Sequence, residues 1–225
     1  MSNETILLVI KFKIGGGLRF LSHAETVKLF QRACVRAGIN MQYSRGFNPR
    51  PKMSLPLPRT VAVASDDDLL CLRVNRDPNE PPVTDYESRV KDKLSSRLPK
   101  DCELLSVERH QANVSFQPSS ATYILQVQPE YINGNVKARI ERLLASDSLN
   151  LQRRMAAKNS RFKNVDVRPF VKSIELDDRE IIVECKISSA GTIRVDEILE
   201  LLELDAEKLT APIKRTNVNW QVGGS

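Results

Sequence analysis

The residues best equipped for chemistry form a ten-residue run, Tyr43-Ser44-Arg45-Gly46-Phe47-Asn48-Pro49-Arg50-Pro51-Lys52. Three cations and two aromatics share it. Arginine and lysine pair with phosphate oxygens, and tyrosine or phenylalanine stacks on an unpaired base. Prolines hold such a loop open and lower the cost of ordering it. The pattern points to an anionic, partly aromatic ligand, with Tyr43, Arg45, Asn48, Arg50 and Lys52 nearest to it.

Two other clusters offer related chemistry. Gly15-Gly16-Gly17 leads through Arg19 to Ser22-His23. Glycines let backbone N–H groups approach an anion, and a helix N-terminus adds partial positive charge. Arg19, Ser22 and His23 would flank that anion. Histidine is the usual side chain for acid–base catalysis at neutral pH, which makes His23 the one candidate for it. In the second half, Arg153 and Arg154 lead through Lys158, Arg161 and Lys163 to Val165-Asp166-Val167-Arg168-Pro169. Arg215, near the end, could join these cations.

Other chemistries lack their residues. There is no H-E-x-x-H, no phosphate loop and no supported Ser-His-Asp arrangement. Two histidines and four cysteines without a C-x-x-C pair predict no metal centre, and no cofactor is expected. Cys34, Cys71, Cys102 and Cys185 sit among apolar neighbours and read as buried, reduced thiols of a cytoplasmic protein. Asp66-Asp67-Asp68 reads as a solvated turn.

Charge is unevenly placed. The 225 residues carry a net +6, yet residues 1–64 alone hold ten Lys and Arg against two Asp and Glu. Residues 137–172 hold ten against three. Concentrated basic charge points to a polyanionic partner. The longest early apolar run, Ile6 to Ile10, is far short of the ~20 residues of a membrane span, so no membrane association is expected.

These residues need positioning elements. Ile6, Leu8, Ile10 and Phe12 alternate with Leu7, Val9, Lys11 and Lys13, which predicts a strand over 5–13 with a basic end. Ser22 and Glu25 have capping-box spacing and open a helix to about Ala37, stopped by Gly38. Val27, Phe30, Cys34 and Ala37 line one stripe of it, and Lys28, Arg32 and Arg36 form a basic stripe. A short strand over 39–43, extended chain over 52–64, a strand from Leu70, a helix over 84–97 and a strand over 102–109 follow. This is the split βαβ order. The order restarts with a strand at Tyr123 and a helix over 136–144. A hairpin over 165–187, a helix over 195–204 and a strand over 212–220 complete it. The expected fold is α+β, with two tandem ferredoxin-like halves at 1–110 and 119–225 joined by a linker over 111–118. Each half would be an antiparallel sheet with helices on one face.

The motifs Leu18-Arg19-Phe20-Leu21-Ser22-His23, Tyr43 to Lys52, Val165 to Pro169 and Lys214-Arg215-Thr216 resemble a bacterial family, the radical-SAM-linked domain of unknown function. Members are encoded beside, or fused to, a radical SAM protein. They also lie near genes for an E/G-type ribonuclease and large-subunit ribosomal proteins. The resemblance implies RNA or ribosome metabolism. This chain lacks cluster-binding cysteines, so its radical SAM partner would be a separate polypeptide. It departs from the pattern in having Ala24-Glu25 for Leu-Asp, and Arg50 where a histidine is common.

The expected function is a non-catalytic accessory of a radical SAM enzyme that binds RNA, or presents an anionic substrate, through a basic face. Lys11, Lys13, Arg19, Lys28, Arg32 and Arg36 would supply the phosphate field. Two alternatives are a metal-independent RNA-processing enzyme using His23 with Tyr43 and Lys52, and a protein-interaction module with no RNA role.

Overall fold

The computed structural model describes residues 4–76, 85–154 and 162–224. It is an α+β chain with four α-helices among the described residues. Two compact units divide it, Met1–Pro118 with Trp220–Ser225, and Ser119–Asn219.

In the first unit the alternation of strand β1 (Glu4–Ile14) sorts its side chains between two faces. Ile6, Leu8, Ile10, Phe12 and Ile14 enter the main core. Helix α1 (His23–Arg36) brings Phe30, Ala33 and Cys34 to it, and α2 (Tyr86–Ser95) brings Val90 and Leu94. Phe12 and Phe30 meet edge to face at 4.6 Å. On the opposite face Leu7 and Val9 join Leu69 and Cys71 under Val114, Phe116 and Trp220. Apolar side chains therefore pack against both sheet faces.

Strand β2 is only Met53–Ser54, β3 spans Ala64–Arg76, and β4 spans Cys102–Gln111. The order is β4-β1-β3 with β2 paired to β3, all antiparallel. The expected strand over 39–43 is reduced to isolated bridges, Met41 to Val74 and Tyr43 to Pro51.

Two expectations fail here. Asp66-Asp67-Asp68 is not a turn, because β3 runs through it. Asp67 is buried, 3.1 Å from Lys11 Nζ, and accepts from the Trp220 ring N–H at 3.4 Å. Asp68 is buried against Arg59 at 2.7 Å, and Arg59 also donates to the Val63 carbonyl. Nor are residues 111–118 a linker. Strand β4 reaches Gln111, and β5 (Ser115–Gln126) starts four residues later. Val114 N–H donates to the Gln111 carbonyl, closing a tight turn.

The second unit also combines strands and helices. After β5 come α3 (Gly134–Ala145), a separate ribbon of β6 (Asn150–Arg154) and β7 (Phe162–Asp166), and then β8 (Val171–Asp177) and β9 (Glu180–Lys186). Helix α4 (Val195–Leu202) and β10 (Lys214–Gly223) complete it. The strand order is β10-β5-β9-β8. Residues 165–166 belong to the ribbon, so the expected hairpin starts at Val171 and turns at Asp178, whose φ is +47°. No described helix is long and apolar enough to cross a membrane.

Candidate functional site

The Tyr43–Lys52 run is a hairpin. Ser44 N–H donates to the Arg50 carbonyl at 2.8 Å, and Arg50 N–H donates to Ser44 Oγ at 3.0 Å. Its base is fixed to β3, because Lys52 N–H donates to the Gln42 carbonyl at 2.7 Å and Arg73 N–H to the Lys52 carbonyl at 2.9 Å. Gly46 adopts φ +134°, which a side chain would strain. The hairpin holds Phe47 wholly in water, at 106% of full exposure. Tyr43, Arg45, Asn48, Arg50 and Lys52 are exposed beside it. None of the three cationic side chains makes an ion pair among the described residues. An unpaired aromatic on a braced, cationic tip can stack on a base while its neighbours meet phosphates.

The glycine turn is filled from within. Gly15 N–H donates to the Asp101 carbonyl at 3.0 Å, and Gly17 N–H to Asp101 Oδ2 at 3.1 Å. Gly16 has φ +47°, and a Cβ there would lie 2.2 Å from that carboxylate. The expected anion cradle thus holds the protein's own anion. Arg19 donates to the Gly16 carbonyl at 2.5 Å and lies over the Phe20 ring at 4.2 Å. Ser22 is committed to the capping box. Its Oγ accepts from Glu25 N–H at 3.3 Å, while its own N–H donates to Glu25 Oε2 at 2.8 Å. The Ser22 hydroxyl, then its backbone N–H, holds the Glu25 carboxyl below its ordinary range.

His23 starts α1, half-buried, with Nδ1 shielded and without a hydrogen-bond partner among the described residues. No hydrogen bond or ion pair joins it to Tyr43 or Lys52. Lys28, Arg32 and Arg36 are exposed along α1, as the basic stripe requires. Lys13 is half-buried and Lys11 is held by Asp67.

In the second unit most candidate cations are structural. Arg153 binds Glu197 through two bonds, Nε to Oε1 at 2.6 Å and Nη2 to Oε2 at 2.7 Å, and also donates to the Thr192 carbonyl. Burial alone would raise the Glu197 pKa. The bonds from Arg153 and from Arg194 N–H outweigh it and hold the carboxyl below its ordinary range. Arg168 donates to the carbonyls of Leu144, Ser146 and Val171, closing the end of α3. Arg215 is buried at 3% exposure. Expected as ligand contacts, these three are instead framework: Arg153 and Arg168 each make three hydrogen bonds within the protein, and Arg215 is buried. Arg154, Phe162 and Lys163 are exposed on the ribbon. Lys158 and Arg161 lie outside the described residues.

A family model described as "Uncharacterized protein conserved in bacteria (DUF2344)" matches residues 8–198, which include the hairpin and the glycine turn. The chain belongs to this family. No curated protein matches it. Two solved structures align over nearly the whole length of this DUF2344 chain. The acetolactate synthase small subunit from Thermotoga maritima is 11% identical, covers 98% of each chain and has a TM-score of 0.27. A "putative glycine cleavage system transcriptional repressor" is 10% identical, covers 98% of this chain and 99% of its own, and has a TM-score of 0.22. At these scores neither likeness carries an argument.

Proposed function

We propose that this DUF2344 protein is a non-catalytic RNA-binding accessory of a radical SAM enzyme carried on a separate chain. The observation that carries the RNA reading is Phe47, fully exposed on a hairpin tip flanked by Arg45, Arg50 and Lys52. The radical SAM partner rests on the motif resemblance alone.

The same reading makes the units two split βαβ, ferredoxin-like repeats. Strand orders β4-β1-β3-β2 and β10-β5-β9-β8 correspond element by element. In both, an extra hairpin is inserted after the first helix, and each carries an exposed phenylalanine with cations, Phe47 in one and Phe162 in the other.

Fluorescence anisotropy with an unstructured oligoribonucleotide tests the RNA reading. Phe47→Ala should leave stability unchanged and weaken binding roughly 5- to 150-fold, since a stacked base contributes about 1–3 kcal/mol. Three phosphate-paired cations should make binding roughly 20-fold weaker at 200 mM than at 50 mM salt. A flat salt response, or an unaffected Phe47→Ala variant, refutes it. Copurification of a radical SAM protein that survives ribonuclease tests the partner.

A further inference from the structure

We propose that a groove on the sheet face away from α1 and α2 binds one nucleoside monophosphate unit, its ring in the apolar floor and its phosphate on Lys52 and Arg73. The groove encloses about 440 Å³ beside β2, within the first unit. That volume falls in the range of small-molecule sites.

Three observations define the ligand. The apolar floor is Leu7, Cys71 and Phe116, on the sheet face opposite the helices. The Phe116 ring is braced edge-on by His110 at 5.2 Å, so a flat apolar surface is already formed. Lys52 and Arg73 supply two positive charges, and no carboxylate among the described residues lines the groove. Arg73 is pinned by donating to the Ala112 carbonyl at 3.1 Å, which leaves the rest of its guanidinium fork for a ligand. A ligand both flat and anionic fits this combination. A hollow on the second unit shows the contrast. It is lined by Arg139, Arg142 and Lys208, but Arg139 pairs with Glu203 and Lys208 with Asp205 at 3.3 Å. Two of its three cations are therefore already paired.

The inference deepens the RNA reading and rests on it only for the source of the nucleotide. Lys52 is at once the last residue of the hairpin and part of the groove, so a strand held at Phe47 would have its next nucleotides within reach.

The test titrates the full chain with adenosine 5′-monophosphate, adenosine and inorganic phosphate, followed by amide NMR. The monophosphate should shift Met53, Ser54, Cys71 and Phe116, and adenosine and phosphate should each bind roughly tenfold or more weakly. Ser54 is an exposed residue at the groove mouth, and Ser54→Glu, like Lys52→Gln, should abolish those shifts. Phe47→Ala should leave them intact. Absence of the shifts, equal binding of phosphate alone, or an unaffected Ser54→Glu variant overturns the proposal. Displacement of the monophosphate by hexauridylate assigns the site to an RNA strand, and failure of displacement assigns it to a free nucleotide. An oligoribonucleotide that does not bind while the monophosphate does removes the RNA reading and leaves the groove. The reverse removes the groove alone.

Discussion

Glu197 is an acid on the buried side of α4, and Arg153 is its counter-ion across two hydrogen bonds. Such a pair contributes little compared with well-packed apolar residues, yet breaking it leaves a charge stranded away from water. Arg153→Met should therefore lower unfolding free energy by about 3 kcal/mol in urea titrations. A carboxyl held below its unfolded pKa stabilises the fold above that unfolded value, and the gain fades as pH falls through the folded one. The native protein should accordingly lose this contribution as pH drops below about 4.5, whereas Arg153→Met should show a weaker acid dependence. The residue scale is also where the sequence is least legible. Arg45 and Arg153 are the same residue type in equally basic surroundings, but one projects into water and the other is locked. The difference lies in Glu197, 44 residues downstream of Arg153, and no local spacing announces it.

At the scale of elements, local chemistry is legible in the sequence and long-range pairing is not. The alternation of β1, the capping box of α1 and its basic stripe all follow from neighbours within one or two turns. The acidic run 66–68 reads as a turn because three carboxylates cannot sit together in a core without partners. The partners exist, but Arg59, Lys11 and Trp220 are distant in sequence or separated by irregular chain. Likewise the polar run 111–118 hides a strand, because one of its faces is solvated. The Ser22 cap gives a test that separates framework from ligand contact. Ser22→Ala should cost about 1 kcal/mol of stability, the usual loss of such a cap. Oligoribonucleotide affinity should not change, because the Ser22 hydroxyl already serves Glu25. A loss of affinity without loss of stability would return Ser22 to the binding surface.

Across the whole molecule the two units are not two successive pieces of chain. The first takes residues up to Pro118 and then Trp220–Ser225, with the second unit inserted between. Composition suggests a linker followed by an independent half, because the six residues Trp220–Ser225 carry little composition of their own. Their contribution is specific all the same. Trp220 packs on Leu7, Val9, Leu69 and Cys71, and its ring N–H meets Asp67. A fragment ending at residue 118 should therefore expose that apolar patch. In thermal unfolding it should melt well below the intact chain, and it should bind an apolar dye. Equal melting temperatures would mean the first unit does not need its C-terminal residues.

That insertion also sets a clock. Trp220 lies 153 residues after Asp67. At a ribosomal rate of about 5–20 residues per second, roughly 8–30 s separate their synthesis. Throughout that interval the nascent first unit has its hairpin and helices available while one side of its sheet waits for a cover. Until Trp220 emerges, Leu7, Val9, Leu69 and Cys71 lack the ring that packs on them.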